Sequence, residues 1–284
     1  MHGLRHALLA AATASLLALP AHAQSVSGLG GENDLRITAD GSLSWQRGAR
    51  TYVAEGNAVA KLGGRELRAD RLTAFYRERA ETGGGDPAME IYRLEADGEV
   101  TLDAPAGTVL AGRGIYEMDT GVVVFTGGSP TLKTDGGVVV TAEDRMEYWP
   151  QRGLAVARGG ARVRDGDRSF RARVIQAVFA GPAGSPEARE LARVEAFDQV
   201  RAATPDGEGR GGLGVYDPAT QILELFGEVA LGRGGTRFEG GYARLDLAGG
   251  SSELRTDAPG ESGSERVRGL ISRPDVSRTA GEAG

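Results

Sequence analysis

The sequence predicts an all-β fold built as a solenoid-like stack of antiparallel strand pairs. Three observations support this prediction: a short phrase recurs every 30 to 40 residues or so, apolar and polar residues alternate with a period of two, and the chain contains 45 glycines. A repeat of about this length is typical of folds whose units bury their apolar face only by stacking on neighbouring units. We therefore expect a long apolar surface rather than a compact pocket.

The repeated phrase is an Ala-Asp or Gly-Gly step between two alternating runs. Its copies lie at residues 38–40, 68–70, 111–113, 141–143, 171–173, 211–213 and 240–242. Longer stretches recur at a shift of 100, since residues 94–96 resemble 194–196 and residues 114–117 resemble 214–217. We therefore predict one domain at 34–255, made of two units of about 100 residues and a final rung at 236–254.

Insertions interrupt the repeat at 77–90 and at 181–190. In the second insertion, Pro186 between Ser185 and Glu187 is typical of a helix start. A short helix is therefore one prediction for this segment, and continued strand structure is the other.

The two ends of the chain differ in composition from the repeats. Residues 1–23 combine Arg5, an apolar run at 7–19 that is too short to span a membrane, and small residues at 21 and 23. This pattern predicts a cleaved export signal rather than a membrane anchor, and so a periplasmic location. Residues 24–33 are predicted to be a flexible leader, and the polar residues 256–284 are predicted to be disordered.

The composition excludes several classes of chemistry. The chain has no cysteine, and its three histidines all lie in the predicted signal, at positions 2, 6 and 22. Ser-His-Asp and Cys-His catalysis and the usual zinc and copper sites are therefore excluded from the mature protein. We expect no enzyme activity, no cofactor and no metal. The net charge of −6 is spread along the chain, which argues against a nucleic-acid partner.

Two further patterns have simple structural interpretations. Gly209, Gly211 and Gly214 match the spacing of a dinucleotide-binding loop, but no apolar strand precedes them and no helix follows, so we interpret them as a turn. The acidic residues at the starts of rungs are interpreted as turn-capping groups rather than as a pair for glycoside hydrolysis. These residues are Asp40, Asp70, Glu143, Asp144, Asp217 and Asp246.

The recurring phrases also carry a family resemblance. The segments concerned are residues 37–40, 52–59, 67–72, 94–100, 114–117, 141–149 and 240–247. Over about 220 residues the chain resembles the OstA-like family of periplasmic lipopolysaccharide transport proteins, in the LptA type found in alphaproteobacteria. The two insertions and the polar tail depart from the shorter members of that family.

The resemblance implies an open twisted β-jellyroll with a V-shaped cross-section, whose apolar interior holds the acyl chains of lipid A. It also implies head-to-tail self-association through edge strands, at residues 35–45 and 237–255. The implied partners are an LptC-like protein of the inner membrane and the N-terminal domain of an LptD-like protein of the outer membrane. Together these proteins would form a bridge for lipopolysaccharide.

The candidate groove residues are aliphatic positions in the alternating strands. Such residues shelter acyl chains because each methylene kept from water contributes about 0.8 kcal/mol. The candidates are Ile37, Leu43, Val59, Leu72, Leu94, Val100, Val122, Val124, Val140, Met146, Val156, Val178, Val194, Val200, Leu223 and Leu225. The alternation does not give the strand register, and a slip of one residue would turn each side chain to the other face.

Three other hypotheses remain open at this stage. One is a membrane-tethered LptC-like protein, which would keep its N-terminal anchor. Another is a β-helical enzyme that acts on polysaccharides, although such folds bury asparagine ladders and this chain has asparagine only at 33 and 57. The third is a structural solenoid that forms polymers and binds no lipid.

Overall fold

The computed structural model describes residues 35–79, 88–181, 189–259 and 266–270. The predicted signal at 1–23, the leader at 24–33, the helix start at 185–187 and most of the polar tail lie outside these ranges. Within the described ranges, no helix has the length and apolar character needed to cross a membrane.

The described residues form eighteen strands and one short 3-10 helix, Pro150–Arg152. The strands are β1 (Arg36–Thr38), β2 (Ser42–Gln46), β3 (Thr51–Leu62), β4 (Arg65–Arg79), β5 (Ala88–Ala104), β6 (Gly107–Glu117), β7 (Val122–Thr126), β8 (Thr131–Thr134), β9 (Val139–Thr141), β10 (Arg145–Trp149), β11 (Leu154–Asp165), β12 (Arg168–Ala180), β13 (Glu190–Thr204), β14 (Gly207–Asp217), β15 (Ile222–Arg233), β16 (Thr236–Asp246), β17 (Ser251–Arg255) and β18 (Arg268–Leu270).

All these strands belong to one antiparallel sheet, which confirms the predicted all-β fold class. Each long strand pairs with the next one along the chain, and some rungs consist of two short strands in line. Both β1 and β2 pair with β3, both β7 and β8 pair with β6, and both β17 and β18 pair with β16. The β-helical hypothesis is wrong, because that fold requires parallel pairing between successive coils, and every pairing among the described strands is antiparallel.

A row of irregular residues divides the sheet into two arms. At the same level of every second rung, two adjacent residues adopt positive φ and add one residue relative to the partner strand, which bends the strand. These pairs are Gly56 and Asn57, Gly98 and Glu99, Gly127 and Gly128, Gly159 and Gly160, Asp198 and Gln199, and Gly227 and Glu228. We call this row the corner. Arm A is the side that contains β2, β7, β10 and β17, and arm B is the side that contains β1, β8, β9 and β18.

The phrase that repeats in the sequence lies beside the corner. Its small residue pairs with the first residue after a bulge: Ala69 with Ala58, and Ala172 with Ala161, for example. Ala58 and Ala161 are fully buried, at 0% exposure. A small side chain is needed at this level because both arms converge there. The repeated phrase therefore marks the position of the bend in the sequence.

The shift of 100 residues is also present in the structure. Strands β6 and β14 begin 100 residues apart, at Gly107 and Gly207. Both glycines have a φ that side chains rarely adopt, +139° and +149°. The two units thus share the same tight turn as well as the same bulge.

The inner faces of the two arms form a continuous apolar core. Two clusters of buried side chains fill it, and Met146 and Val194 pack against both clusters. Prominent members of the first cluster are Leu72, Leu94, Val100 and Phe125, and of the second Ile175, Val200, Leu225 and Val229.

Three details differ from the sequence-based expectations or extend them. The three glycines interpreted as a turn lie within β14, so that interpretation is wrong. Strand β18 lies in the segment that was predicted to be disordered, where it pairs with β16. The first insertion continues β4 to Arg79 and begins β5 at Ala88, so its ends lengthen strands of arm A.

Candidate functional site

The structure brings ten of the sixteen candidate groove residues to the apolar interior. Each of them belongs to one of the two core clusters or packs against one. They are Ile37, Leu72, Leu94, Val100, Val140, Met146, Val194, Val200, Leu223 and Leu225. Whether any of them contacts a lipid stays a prediction.

Five candidates lie on the outer face instead. They are Val59, Val122, Val124, Val156 and Val178, and each alternates with neighbours that belong to the core. In β7, the inner residues are Val123 and Phe125, at 5% and 4% exposure. Alternation cannot select a face where four consecutive residues are apolar, so the choice of Val122 and Val124 was one residue out of register.

Leu43 is a separate case. It pairs with the core residue Ala54, yet it is 63% exposed because it lies on the first strand pair of the sheet. It is therefore part of an open end of the sheet, not of the interior.

The smallest core residues are not among the sequence-based candidates. Ala58, Ala161, Ala196 and Ala243 are completely buried on the inner face. Alanine carries little hydrophobic signal. For Ala58 and Ala161, the position directly after a bulge could have indicated this role.

In the first half of the sheet, the interior is almost filled by its own side chains. The cavity between the arms has a volume of about 70 Å³. Its walls are apolar, with Leu67 and Leu102 on arm B and Leu94, Tyr116 and Phe125 on arm A. Typical ligand sites have volumes of about 300–1,000 Å³, so this conformation leaves no room there for an acyl chain.

In the second half, a much larger cleft of about 1370 Å³ lies along arm B. Strands β9 and β11 to β16 contribute to its walls, and we call it the arm B cleft. Its lining combines apolar residues, including Val163, Phe170 and Leu231, with arginines. Four of these arginines are Arg162, Arg171, Arg201 and Arg210. None of the sixteen candidates borders the cleft. The sequence signal that could have indicated the cleft is an arginine that recurs at one level of successive strands.

The first edge of the sheet exposes two large apolar side chains. Within the described residues, β1 and β2 pair with β3 alone. Leu43 and Trp45 are 63% and 46% exposed. The indole N–H of Trp45 donates a hydrogen bond of 2.8 Å to the hydroxyl of Tyr76, and its ring stacks on Tyr52 at 6.0 Å. The exposed tryptophan is therefore held in a fixed orientation.

The last edge also exposes apolar side chains. Strands β17 and β18 pair with β16 alone among the described strands. Leu270 on β18 is 67% exposed, and Phe238 on β16 is 39% exposed. Leu245, which lies in the segment predicted as an edge, pairs on both sides, with Leu223 and with Ser252. The free edge is therefore formed by β17 and β18.

Ion pairs cover much of the outer face of arm A. Glu147, for example, is only 9% exposed and accepts hydrogen bonds from Arg145, Trp149 and Arg158. Burial opposes its ionisation, but these hydrogen bonds outweigh burial and hold the pKa of Glu147 below its usual range. The outer face of arm A therefore carries networks of ion pairs, whereas the inner face is apolar.

Two of the six carboxylates interpreted as turn caps fit that role, whereas Asp40 and Glu143 contact the side chains of Asn57 and Arg162. Asp217 Oδ1 accepts hydrogen bonds from the backbone of Ala219 and Thr220. Asp246 Oδ1 accepts them from Ala248 and Gly249. Among the described residues, no group of three or more acidic, cysteine or histidine side chains could hold a metal ion.

Tyr242 provides a test of the core that depends on pH. The residue is 1% exposed, and its hydroxyl donates a hydrogen bond of 2.5 Å to Glu224 Oε1. Burial, and then this hydrogen bond, raises the pKa of Tyr242 to about 12. The folded state thus holds the phenolic proton more tightly than the unfolded state, whose tyrosine titrates near pH 10.

We therefore expect the contribution of Tyr242 to stability to be complete below pH 10 and to be lost as the pH rises towards 12. The loss should be roughly 1–3 kcal/mol. Denaturant titrations from pH 8 to 11.5 test this, because the Tyr242→Phe variant should lose less stability than the unsubstituted protein. Parallel pH profiles for the two proteins would contradict the assignment.

Comparison with known proteins adds one family match. Residues 36–153 match the family described as LptA/(LptD N-terminal domain) LPS transport protein. The match begins with β1 and ends after the 3-10 helix, so it covers the first half of the sheet. Among curated proteins, none matches this chain.

Solved structures are also similar over part of the chain. Among them is the crystal structure of LptH, the LptA homologous periplasmic component of the conserved lipopolysaccharide transport device from Pseudomonas aeruginosa. The alignment covers 49% of this chain and 97% of that chain, with 17% sequence identity and a TM-score of 0.42.

Proposed function

We propose that this chain is a periplasmic carrier that shelters the acyl chains of lipid A and passes lipopolysaccharide from the inner to the outer membrane. The observation that carries the proposal is the match of residues 36–153 to a family of lipopolysaccharide transport proteins. The matched strands include much of the apolar inner face described above. A non-enzymatic role also suits a mature sequence without histidine or cysteine.

The physical argument rests on the length of the apolar surface. A lipid with several acyl chains loses about 0.8 kcal/mol for every methylene exposed to water, so it needs shelter along its whole route. The inner face is apolar on the long strands of both halves of the sheet. Transfer between similar apolar surfaces is nearly neutral in free energy, so the direction of transport would come from an energy source outside this chain.

Acyl chains would require the arms to separate in the first half of the sheet. The cavity there is small, and its walls are side chains from both arms. In the second half, Phe170 and Leu231 are only half-buried and Phe238 is 39% exposed. We therefore propose that lipid first enters at this more open half.

Site-specific photocrosslinking tests the proposal directly. A photoreactive side chain at Phe170, Leu231 or Phe238 should form adducts with lipopolysaccharide in a purified mixture. The matched controls are Val124 and Val178, which are half-buried on the outer face and should give little or no adduct. Equal yields from the two faces, or no adduct at any inner position, would refute the proposed binding.

The two free edges are proposed to be docking surfaces for partners. Unpaired strands invite strand addition, and both edges of this sheet expose large apolar side chains. We propose that the first edge of one copy pairs with the last edge of another. The same edges would receive an LptC-like protein at one end and an LptD-like N-terminal domain at the other.

Mixing two variants distinguishes this arrangement from a symmetric dimer. Leu43→Asp and Leu270→Asp should each weaken self-association by roughly tenfold or more, because each buries a charge in one half of the contact. An equimolar mixture should recover dimers in sedimentation velocity, since each variant keeps one intact edge. Failure of the mixture to recover dimers, or unchanged association of either variant, would contradict head-to-tail pairing.

A further inference from the structure

Four arginines lie side by side on four consecutive strands of arm B. In the register of the sheet, Arg162 is opposite Arg171, Arg171 is opposite Arg201, and Arg201 is opposite Arg210. Neighbouring strands are about 4.8 Å apart, so the four residues form a cationic row across β11 to β14. We call it the arginine row.

Few carboxylates balance this row. At its ends, Arg162 lies 3.5 Å from Glu143 and Arg210 lies 3.9 Å from Glu239, and these four side chains are all well exposed. For the two central arginines, Arg171 and Arg201, the described part of the chain provides no ion pair. Exposed pairs of this kind contribute at most about 1 kcal/mol.

In the first half of the sheet, the arginine at the same level is neutralised by carboxylates. Cross-strand pairing continues from Arg162 through Thr141, Thr131, Leu110 and Thr101 to Arg68. Arg68 is the one arginine at this level on those strands, and it pairs with Asp103 at 2.7 Å and with Glu66. The same level of the sheet is therefore neutralised in one half and strongly cationic in the other.

The arginine row opposes the stability of the sheet. Like charges directly opposite each other on neighbouring strands are destabilising, and here three such contacts follow one another. Local rules of this kind are usually broken where a site has a function. Planar guanidinium groups suit bidentate hydrogen bonds to phosphate and carboxylate oxygens, so a ligand with several such groups would relieve the repulsion.

The register places the arginine row on the outer face of arm B. Arg171 lies between Phe170 and Ala172 on β12, and both of these residues pack in the interior. All four arginines border the arm B cleft. We propose that the arginine row binds the phosphate or carboxylate groups of an anionic saccharide, which is the head group of the lipid whose acyl chains the interior would shelter. The identity of this ligand rests on the proposed function.

The test uses the phosphorylated saccharide that remains after lipopolysaccharide has been fully deacylated. Calorimetry at low salt should detect its binding to the unsubstituted protein. The double variant Arg171→Gln with Arg201→Gln should bind at least about tenfold more weakly, because two charge-assisted contacts are lost. The control Arg68→Gln should bind normally. Without ligand, the double variant should also have the higher melting temperature, whereas the loss of a merely structural contact would lower it.

The outcomes separate this inference from the proposed function. Equal binding by the double variant, or no binding of the deacylated saccharide, would overturn the arginine row as a head-group site, whatever the acylated lipid does. Weaker binding by the double variant supports the row even if no crosslink forms at the inner face. In that case the carrier function fails and the anionic site remains.

Discussion

Replacing Gly159 by alanine is expected to lower the free energy of unfolding by about 2–5 kcal/mol. Gly159 has a φ of +82°, and a Cβ there would lie 2.4 Å from Cγ and 2.7 Å from the backbone nitrogen of Asp144. The left-handed conformation costs a side chain about 1–2 kcal/mol, and the backbone contact cannot relax without moving the start of β10. Because this glycine forms part of the corner, the damage should reach both arms.

Gly166→Ala is the matched control. Gly166 also has a positive φ, +54°, but it lies in a hairpin turn with no atom within 4 Å of the added Cβ. Only the conformational term should appear, at about 1 kcal/mol. Urea titrations of both variants, followed by two probes to check for a single transition, provide the comparison. Equal losses would mean that the close approach at the corner is not what makes glycine necessary.

Replacing Leu225 by alanine should cost about 3–5 kcal/mol, towards the high end for core leucines. The side chain is completely buried, and it packs against three positions of β14 that have no side chain. These are Gly209, Gly211 and Gly214, whose added Cβ atoms would lie 2.9, 3.5 and 3.4 Å from atoms of Leu225. Glycines have nothing to move into the cavity, so the site should collapse poorly.

A double-mutant cycle makes this prediction specific. Gly209→Ala alone should be destabilising, because its Cβ would meet Leu225 Cδ1 at 2.9 Å. In the Leu225→Ala background, the same change should be nearly neutral or stabilising, because the new methyl group enters the vacated space. An interaction free energy near zero in denaturant titrations would show that the glycines are not the socket for Leu225.

This socket also explains a misleading sequence pattern. Gly209, Gly211 and Gly214 have the spacing of a dinucleotide-binding loop, but their neighbours in the sequence do not fit that function and favour a turn. They lie in a strand, where the side chain of Leu225 on β15 occupies the space beside them. Spacing alone could not reveal this, because the leucine that requires the glycines lies on the neighbouring strand.

The fold class and the repeat were predictable because both depend on local features. Alternation and turn residues are visible in the sequence, and the repeated alanine marks the corner at Ala69 and Ala172. The facing of individual residues was not equally predictable. The prediction of which side chains face inward failed at Val122 and Val124, where an unbroken apolar run removes the alternation. The arginine row was also beyond reach, because it depends on the register between four strands that lie up to 48 residues apart.

The antiparallel ladder has a consequence for how such a chain can change its length. A unit of about 100 residues contributes six rungs, counting two short strands in line as one. At about 4.8 Å per rung, one duplicated unit extends the molecule by roughly 30 Å. Both units keep the same bulge and the same turn glycine. A further unit of this kind could therefore be added without a new type of connection between units. Duplication of a whole unit would therefore lengthen the span that one copy covers without disturbing the corner.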